Sequence, residues 1–363
     1  MKPIIGITVG DINGIGHEVI LKTFIDKYIF DICIPIIYGN SNHVRQFLSI
    51  LKEDKLKSSI RTINEVKDAK DGLFNIIDCY ANDIQLQVGT VTQQGGKAAL
   101  NSLQRAVTDI KNGGLHALVT APINKQNIQS DNFHFPGHTE YLAHCCDKKE
   151  SLMLMVSDQL KVALVTNHLP ISEVSKQLSK ELILEKMQLL KQTLQQDFSI
   201  DQPRIAVLAL NPHAGDSGFI GKEEMEMINP AIEQAQKENI LAFGAYSADG
   251  FFGTAHYQYF DAVLAMYHDQ GMIPFKSLDM DGVNFTAGLP IIRTSPAHGT
   301  AYELAGKGEA SAQSFKNAVY LAIDILKRRN ENIKLKENAL HIVIPEKTSA
   351  PIINLEEELA QKE

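Results

Sequence analysis

Short apolar runs alternate with longer amphipathic stretches along most of this sequence, and this alternation restricts the chain to a small group of folds. Runs that are apolar throughout are typical of parallel strands, because helices cover both faces of a parallel sheet. The spacing of apolar residues predicts helices at Glu181–Gln196 and Asn317–Arg329. Strands are predicted at Ile4–Val9, Ile32–Tyr38, Ala117–Thr120, Val162–Thr166, Ile205–Leu210 and Ala262–Tyr267. The pattern therefore predicts an α/β protein in which crossover helices join parallel strands.

The size and composition of the chain exclude several functional classes. Its 363 residues correspond to about two domains at roughly 150 residues each. A formal net charge of −8 at pH 7 argues against a protein that binds the phosphate backbone of nucleic acids. We find neither the roughly 18 consecutive apolar residues of a membrane span nor a secretory signal. With four cysteines, two of them adjacent, the chain is expected in the reducing cytoplasm, without nucleic-acid or membrane partners.

Three predicted strands each run into a histidine that is followed by loop-forming residues. These histidines are His168, His213 and His268. Because ligands bind at the carboxyl ends of strands in open α/β sheets, the three imidazoles are expected at one edge. Three neutral imidazoles with an open fourth position would form a catalytic zinc-type site or a site for another divalent ion. A single histidine after a strand is more often a loop or capping residue than a ligand, so the metal-site interpretation depends on all three, and Asp269 is a candidate for orienting a ligand or moving protons.

Other segments carry groups suited to anions. The segment 10–18 follows a strand, but its glycines match neither G-x-G-x-x-G nor the P-loop pattern, so no Rossmann domain is predicted. It fits either a tight turn between strand and helix or a ligand contact. The turn at 135–140 contains an imidazole, a hydroxyl and a carboxylate, and a capping box is the alternative interpretation. Lys276, Asn284 and Arg293 place two cations and an amide after the third histidine, which suits a phosphate or carboxylate.

Taken in order, these motifs resemble the 4-hydroxythreonine-4-phosphate dehydrogenase family of pyridoxal phosphate (vitamin B6) biosynthesis. The resemblance is collinear from Ile5 to about Gly308 and covers most of the chain. Its most specific motifs are Gly137–Glu140, Asn211–Gly215, Tyr267–Gly271, Gly288–Ser295 and His298–Ala301. The chain departs from the first motif of the family, G-[DE]-P-x-G-I-G-P, at Ile12 and His17, and its extension beyond about Glu331 is unusual for the family.

The resemblance implies a two-domain isocitrate/isopropylmalate dehydrogenase-like fold, not a Rossmann fold, with the active site in the interdomain cleft. The first domain would comprise residues 1–130 together with 300–363, and the second would comprise residues 131–299. The family also implies a homodimer whose active sites are shared between subunits. Within the extension, an apolar segment at Ala339–Pro345 predicts an appended strand, followed by a solvated terminus.

The resemblance also implies roles for individual residues. A divalent metal, zinc with magnesium, manganese or cobalt as alternatives, would be bound by His168 and His213 of one subunit and His268 of the other. Substrate would contact His138, Thr139, Lys276, Asn284 and Arg293. The adenosine half of NAD, or of NADP, would be wrapped by His298, Gly299, Thr300 and Ala301. Asp249 and Asp269 are the candidates for the general base or proton relay.

The reaction implied is the NAD-dependent oxidation of 4-phosphooxy-L-threonine, followed by loss of CO2 to give 3-amino-2-oxopropyl phosphate. A paralogous dehydrogenase of 4-phospho-D-threonate or 4-phospho-D-erythronate is the nearest alternative, since one substituent, amine or hydroxyl, separates the substrates. A phosphate acyltransferase, which needs no metal triad, and a non-enzymatic metal-binding or scaffold protein are the alternatives from other classes.

Overall fold

Twelve strands form one continuous sheet in the part of the chain that the computed structural model describes, residues 2–25, 28–148 and 150–338. The strands are β1 (Ile4–Thr8), β2 (Ile34–Gly39), β3 (Ile60–Ile63), β4 (Phe74–Asp78), β5 (Ala117–Thr120), β6 (Leu152–Val156), β7 (Lys161–Leu164), β8 (Arg204–Leu208), β9 (Leu241–Tyr246), β10 (Ala262–Ala265), β11 (Val283–Ala287) and β12 (Arg293–Pro296). The α-helices are α1 (Gly16–Ile25), α2 (Ile29–Ile32), α3 (Ser41–Ile50), α4 (Gln93–Lys111), α5 (His138–Cys145), α6 (Ile171–Gln177), α7 (Lys180–Phe198), α8 (Asn229–Lys237), α9 (Ala248–Gly253), α10 (His268–Leu278) and α11 (Gln313–Glu337). Short 3-10 helices lie at Asp54–Ser59, Val66–Asp68 and His256–Tyr259, a left-handed turn lies at Pro212–Gly218, and a π-helical turn lies at Glu224–Ile228.

The predicted α/β class is confirmed, and each predicted element within the described residues has a counterpart. The six predicted strands correspond to β1, β2, β5, β7, β8 and β10, and the two predicted helices correspond to α7 and α11. Helix α7 begins where the Ser179 hydroxyl accepts a hydrogen bond from the backbone N–H of Leu182. The predicted segment Ala339–Pro345 lies outside the described residues. The division into two domains stays a prediction. None of the helices described is long and apolar enough to cross a membrane.

The order of strands in the sheet is β3-β4-β2-β1-β5-β12-β11-β6-β7-β10-β8-β9. The first six strands are parallel to one another, and so are the last four. The prediction of parallel strands is wrong at the centre, where β11 and β6 are antiparallel to both of their neighbours. The turn between β6 and β7, closed by a hydrogen bond from the Ser157 N–H to the Leu160 carbonyl, is too short for a crossover helix. The two parallel sets therefore run in opposite directions.

The central strands have one apolar face and one polar face. On the apolar face, Leu154 and Phe285 are neighbours across β6 and β11, and both are fully buried. Helix α11 covers this face, where the Thr294 hydroxyl donates to the carbonyl of Ala318. On the other face, Asn284 of β11 lies beside Met155 of β6 and opposite Ser295 of β12. Alternating side chains thus place polar groups on the face that α11 leaves open.

His17, one of the two departures from the first motif, is a buried side chain of α1. Its ring stacks on Phe47, with centroids 4.7 Å apart and planes 4° from parallel. Neither ring nitrogen has a hydrogen-bond partner among the described residues. Burial, and secondarily His43, lowers the pKa of His17 to about 3. The imidazole is therefore neutral in the folded chain well below the pH at which an unfolded histidine takes up a proton.

We expect the folded chain to lose stability in acid because of His17. Below a pH of about 6.5 the unfolded chain binds a proton at His17, whereas the folded chain does not bind it until about pH 3. Between these pH values, each unit of acidification therefore lowers the free energy of unfolding by about 1.4 kcal/mol. A His17→Phe variant keeps the stacked ring and removes this proton, so its urea midpoint should exceed that of the wild type at pH 5 by more than at pH 7.5. The His134→Phe variant, which changes an exposed histidine, serves as a control. Parallel pH profiles for His17→Phe and the wild type would contradict the assignment.

Candidate active site

A pocket of about 260 Å³ lies over the polar face of the central strands. Strands β6, β11 and β12 form its floor, α5 and α10 form its sides, and the segments that follow β5 and β7 close its ends. Its lining includes nine of the residues singled out in the sequence: His138, Thr139, His168, His268, Lys276, Asn284, Arg293, His298 and Gly299. The other five candidates, His213, Asp249, Asp269, Thr300 and Ala301, do not line it.

Arg293 is the buried cation of the pocket, with an exposed fraction of 2%. Its Nε and Nη2 donate to the Thr120 hydroxyl, and its Nη1 donates to the Thr286 hydroxyl 3.0 Å away. No carboxylate of the described residues forms an ion pair with it. Burial lowers the pKa of Arg293 to about 9, against the opposing effect of nearby Glu140. A buried guanidinium held only by hydroxyls is a site for an anion, because a desolvated cation needs a negative partner.

The first turn of α5 brings the side chains of His138, Thr139 and Glu140 into the same pocket. The helix is capped by Gly137, which has no side chain to accept a bond, so the capping-box interpretation of this turn is wrong. Thr139 reaches the floor, with its hydroxyl 3.5 Å from that of Thr286. The His138 Nε2 is buried without a hydrogen-bond partner among the described residues. Burial, followed by Arg293 and Lys125, holds the pKa of His138 well below its usual range, so this ring is a neutral contact for a ligand.

His168 and His268 lie together because they follow the neighbouring parallel strands β7 and β10. Their ring centroids are 5.7 Å apart. The His268 Nδ1 is 2.7 Å from the Asp269 Oδ1, and the His168 Nε2 is 3.3 Å from the Lys125 Nζ. In the tautomer that donates Nδ1–H to this carboxylate, the Nε2 of His268 is the nitrogen available to bind a metal. Burial, followed by Lys125, lowers the pKa of His168, which favours the neutral ligand form.

His213 follows β8, the neighbour of β10, but it does not join the other two histidines. The chain enters a left-handed turn, with φ of 53° at His213 and 52° at Ala214. The buried Glu224 holds this turn by accepting hydrogen bonds from the backbone N–H groups of Leu210 (2.9 Å) and Asn211 (2.8 Å). Such backbone costs about 1–2 kcal/mol per non-glycine residue and is concentrated at functional sites. No group of three histidine, cysteine or acidic side chains able to hold a metal occurs among the described residues.

The two candidate aspartates lie in different places. Asp269 contacts His268 at the mouth of the pocket and is exposed. Asp249 lies in α9, fully exposed, and accepts a hydrogen bond of 2.6 Å from the Ser247 hydroxyl. That bond is the main cause of a lowered pKa at Asp249, and nearby His213 contributes to the lowering. Asp249 therefore accompanies His213, whereas Asp269 accompanies the paired histidines.

The segment that follows β12 packs on the glycine turn that follows β1. The backbone N–H of Ile15 donates to the Thr300 carbonyl at 3.0 Å, and a side chain at Gly14 would lie 2.7 Å from that oxygen. The Tyr302 hydroxyl donates to the fully buried Asp11 at 2.9 Å. The glycines of this turn are thus needed for close packing, which was one of the two interpretations of the segment. His298, whose buried Nε2 has no partner among the described residues, lines the pocket.

Sequence reasoning missed several lining residues, above all Lys125 and the floor residues Met153, Met155 and Ser295. Lys125 comes shortly after a predicted strand, as the histidines do, so the same pattern could have identified it. The floor residues gave no such signal, because β6 and β12 were not predicted and their contact with the pocket depends on strand register.

The chain matches a known protein family over most of its length. The family described as "Pyridoxal phosphate biosynthetic protein PdxA" matches residues 31–322. A 4-hydroxythreonine-4-phosphate dehydrogenase from Bacteroides thetaiotaomicron is 46% identical over 93% of this chain and 92% of that protein. A relative from Oceanobacillus iheyensis, provisionally named D-threonate 4-phosphate dehydrogenase, is 39% identical over 89% of this chain and 98% of its own length.

A solved structure has the same architecture. The crystal structure of 4-hydroxythreonine-4-phosphate dehydrogenase from Klebsiella pneumoniae superposes with a TM-score of 0.78 at 33% identity. The match covers 90% of this chain and 98% of that one. The strand order and the pocket described above therefore belong to an architecture that this relative shares over nearly its whole length.

Proposed function

The chain belongs to the PdxA family of pyridoxal phosphate biosynthetic proteins, with its isocitrate dehydrogenase-like α/β fold, and from this premise we propose that it is a 4-hydroxythreonine-4-phosphate dehydrogenase. It oxidises the secondary alcohol of 4-phosphooxy-L-threonine with NAD+ or NADP+, and the product then loses CO2 to give 3-amino-2-oxopropyl phosphate. The observation that carries the proposal is the pocket, in which a buried guanidinium without a carboxylate partner faces two paired imidazoles.

Binding and orientation of the substrate fall to the floor and sides of the pocket. Arg293 neutralises a phosphate or carboxylate group, and Lys276 supplies a second cation from α10. Asn284, whose buried Oδ1 has no partner among the described residues, accepts a hydrogen bond from the bound molecule. His138 and Thr139 contact it from the first turn of α5. An anion that leaves water for this cleft keeps its charge balanced by these residues.

The paired histidines fit a divalent metal, zinc or alternatively magnesium, manganese or cobalt. Two neutral imidazoles are a suitable partial donor set, and the contact with Asp269 orients the His268 ring for binding. When bound there, a divalent ion supplies Lewis acidity for the negative charge that develops on the substrate oxygens.

A homodimer with shared active sites would complete the metal site. His168 and His268 lie together in one chain, whereas His213 projects on the separate turn held by Glu224. We therefore place His168 and His268 in one subunit and take His213 from the other. The partition implied by the family resemblance, with His168 and His213 from one subunit and His268 from the other, is the alternative. Asp249 would reach the site together with the partner's His213.

The nicotinamide cofactor fits beside the substrate. His298 and Gly299 line the pocket, and Thr300 and Ala301 continue onto the glycine turn that follows β1. When bound there, the cofactor would supply the acceptor for the hydride of the alcohol carbon, and the hydroxyl proton passes to a base, for which Asp249 and Asp269 are the candidates. The bond to the carboxylate then breaks, CO2 leaves, and the carbon that remains takes up a proton.

The test is formation of NADH with purified protein, offered 4-phosphooxy-L-threonine and 4-phospho-D-threonate separately, before and after treatment with a chelator. We expect chelator-sensitive turnover that prefers the amine substrate. The resemblance to the D-threonate 4-phosphate dehydrogenase makes preference for the hydroxy acid the second candidate function. Turnover of neither compound, with NAD+ or NADP+, would contradict the proposed function.

A further inference from the structure

Asp11 is a buried carboxylate in the glycine turn that follows β1, and the proposed reaction gives it no role. Its exposed fraction is 0%, and no cation of the described residues forms an ion pair with it. Its Oδ1 accepts a hydrogen bond of 2.9 Å from the backbone N–H of Asn13. Its Oδ2 accepts bonds from the Asn127 Nδ2 at 2.7 Å and from the Tyr302 hydroxyl at 2.9 Å. The segments that follow β1, β5 and β12 therefore meet at this carboxylate.

The start of α4 also favours a carboxylate at this position. A side chain at Gly95, the third residue of α4, would lie 3.0 Å from the Asp11 Oδ1, so the carboxylate lies against the N-terminal end of this helix. The partial positive charge at that end stabilises a nearby anion. Because all three hydrogen-bond partners are donors, the position suits a group that only accepts hydrogen bonds, and an amide would direct its own N–H groups at one of them.

The segment after β12 has strained backbone directly before Tyr302. Ala301 has a φ of 41°, in the left-handed region that is unfavourable for a residue with a Cβ atom. Such a conformation persists only where the surrounding contacts hold it. On one side the Thr300 carbonyl accepts a bond from the Ile15 N–H, and on the other the Tyr302 hydroxyl donates to Asp11. Both of these contacts are made to the glycine turn, which therefore holds the segment on either side of Ala301.

The bond between Tyr302 and Asp11 is the stronger kind of hydrogen bond. Burial, followed by the charge of Asp11, raises the pKa of Tyr302, so the hydroxyl keeps its proton and acts as the donor. Hydrogen bonds to a charged acceptor are stronger than those between neutral groups. Because Asp11 is fully buried, water does not compete for its oxygens. Removing the hydroxyl therefore removes a substantial part of what holds the segment.

We propose that Asp11 is a positioning residue for the nicotinamide cofactor and acts through Tyr302, holding His298–Ala301 in the conformation that binds the cofactor. This inference rests on the proposed function, because it takes that segment as the cofactor-binding one. A segment that is already held in its binding conformation loses little conformational entropy when the cofactor binds. Without the Tyr302 hydroxyl, Ala301 relaxes from its strained conformation in part of the molecules, and the apparent affinity for the cofactor falls by that fraction.

The test compares Tyr302→Phe with the wild type in a fluorescence titration with NADH, and with NADPH, in the absence of substrate. The change removes only the hydroxyl. We expect the Kd of the preferred cofactor to rise roughly 5- to 20-fold. In turnover, KM for the oxidised cofactor should rise by a similar factor, while kcat and KM for 4-phosphooxy-L-threonine stay within about twofold.

Tyr38→Phe is the matched control. The Tyr38 hydroxyl also donates to an aspartate, the Asp109 Oδ2 at 2.8 Å, but Tyr38 lies outside the pocket and outside the three segments that meet at Asp11. This variant loses the same kind of bond, so it should leave the Kd for the cofactor unchanged. Hydrogen exchange of the ligand-free proteins gives a second measurement. Residues 298–308 should exchange faster in Tyr302→Phe than in the wild type or in Tyr38→Phe.

A double variant tests whether Asp11 acts through Tyr302. Asp11→Asn should weaken cofactor binding at least as much as Tyr302→Phe, and the combination of both changes should bind no more weakly than Asp11→Asn alone. Additive losses would overturn the inference. If Asp11→Asn does not fold, the comparison of Tyr302→Phe with Tyr38→Phe decides.

The remaining outcomes separate this inference from the proposed function. Unchanged cofactor affinity in Tyr302→Phe, or an equal loss in Tyr38→Phe, would overturn the inference even if the wild type turns over 4-phosphooxy-L-threonine. Because binding is measured without substrate, a wild type that binds NADH but turns over neither phosphorylated compound would contradict the proposed reaction alone, and the loss in Tyr302→Phe would still support the inference. A wild type that binds neither NADH nor NADPH would overturn both.

Discussion

Replacing Arg293 by methionine is expected to lower kcat/KM by about a thousandfold and at the same time to stabilise the ligand-free protein. The activity falls because the buried guanidinium is the main counter-charge for the phosphate or carboxylate of the substrate. The stability rises because burial opposes the charged form, lowering the pKa of Arg293 to about 9, and no carboxylate of the described residues compensates it. Removing such a charge should raise the free energy of unfolding by about 1–3 kcal/mol, measured by urea unfolding without ligand.

Arg329 provides the matched control, because it is also a largely buried arginine but has a partner. Its Nε lies 2.5 Å from the Asp197 Oδ1, and Asp197 is 3% exposed in its side chain. Arg329→Met should therefore destabilise the protein by about 3 kcal/mol, since it leaves a buried carboxylate unpaired, and it should leave kcat/KM nearly unchanged. If Arg293→Met destabilises the protein as strongly as Arg329→Met, or keeps full activity, the anion-binding role of Arg293 is wrong.

Mixing two inactive histidine variants should restore activity for one pair and not for another. If His168 and His268 act from one subunit and His213 from the other, a hybrid of His168→Ala and His213→Ala contains one intact site. A hybrid of His168→Ala and His268→Ala contains none. With equal amounts and full subunit exchange, half of the dimers are hybrids, so the first mixture should reach about a quarter of the wild-type rate.

The alternative partition reverses this result. If His268 acted from the other subunit, the mixture of His168→Ala and His268→Ala would recover activity, and the mixture of His168→Ala and His213→Ala would stay inactive. Subunit exchange is confirmed independently by mass spectrometry of differently tagged chains. Recovery in neither mixture, despite exchange, would show that the three histidines do not form a site shared between subunits.

The strands on either side of the sheet centre were predictable because their signal is local, whereas β3, β4 and β9 at the edges were not predicted. Strands such as β1, β5 and β10 are short runs of apolar residues that are buried on both faces, so composition alone identifies them. Strands β11 and β12 carry polar residues on the pocket face, among them Asn284, Arg293 and Ser295, whereas β6 faces the pocket with Met153 and Met155. The polar residues of β11 and β12 serve the site rather than the core and weaken the local strand pattern, so these two central strands were missed.

The site was predicted in part for a related reason. Histidines that follow strands belong at the ends of those strands, and His168 and His268 do meet there because β7 and β10 are neighbours. The same rule fails for His213, because a left-handed turn held by Glu224 fourteen residues after Leu210 directs it elsewhere. A local sequence pattern does not predict a hydrogen bond between residues that far apart in sequence.

Periodicity, composition and motif order in the chain were sufficient for the α/β class, the family and nine of the residues that line the pocket, because each depends on residues close together along the chain. The tertiary structure decided three other features. These are the reversal of strand direction at the centre of the sheet, the burial of Arg293 without a carboxylate partner among the described residues, and the separation of His213 from its two predicted partners. These features depend on strand register and on contacts between distant segments, and such contacts form only when the whole sheet is assembled.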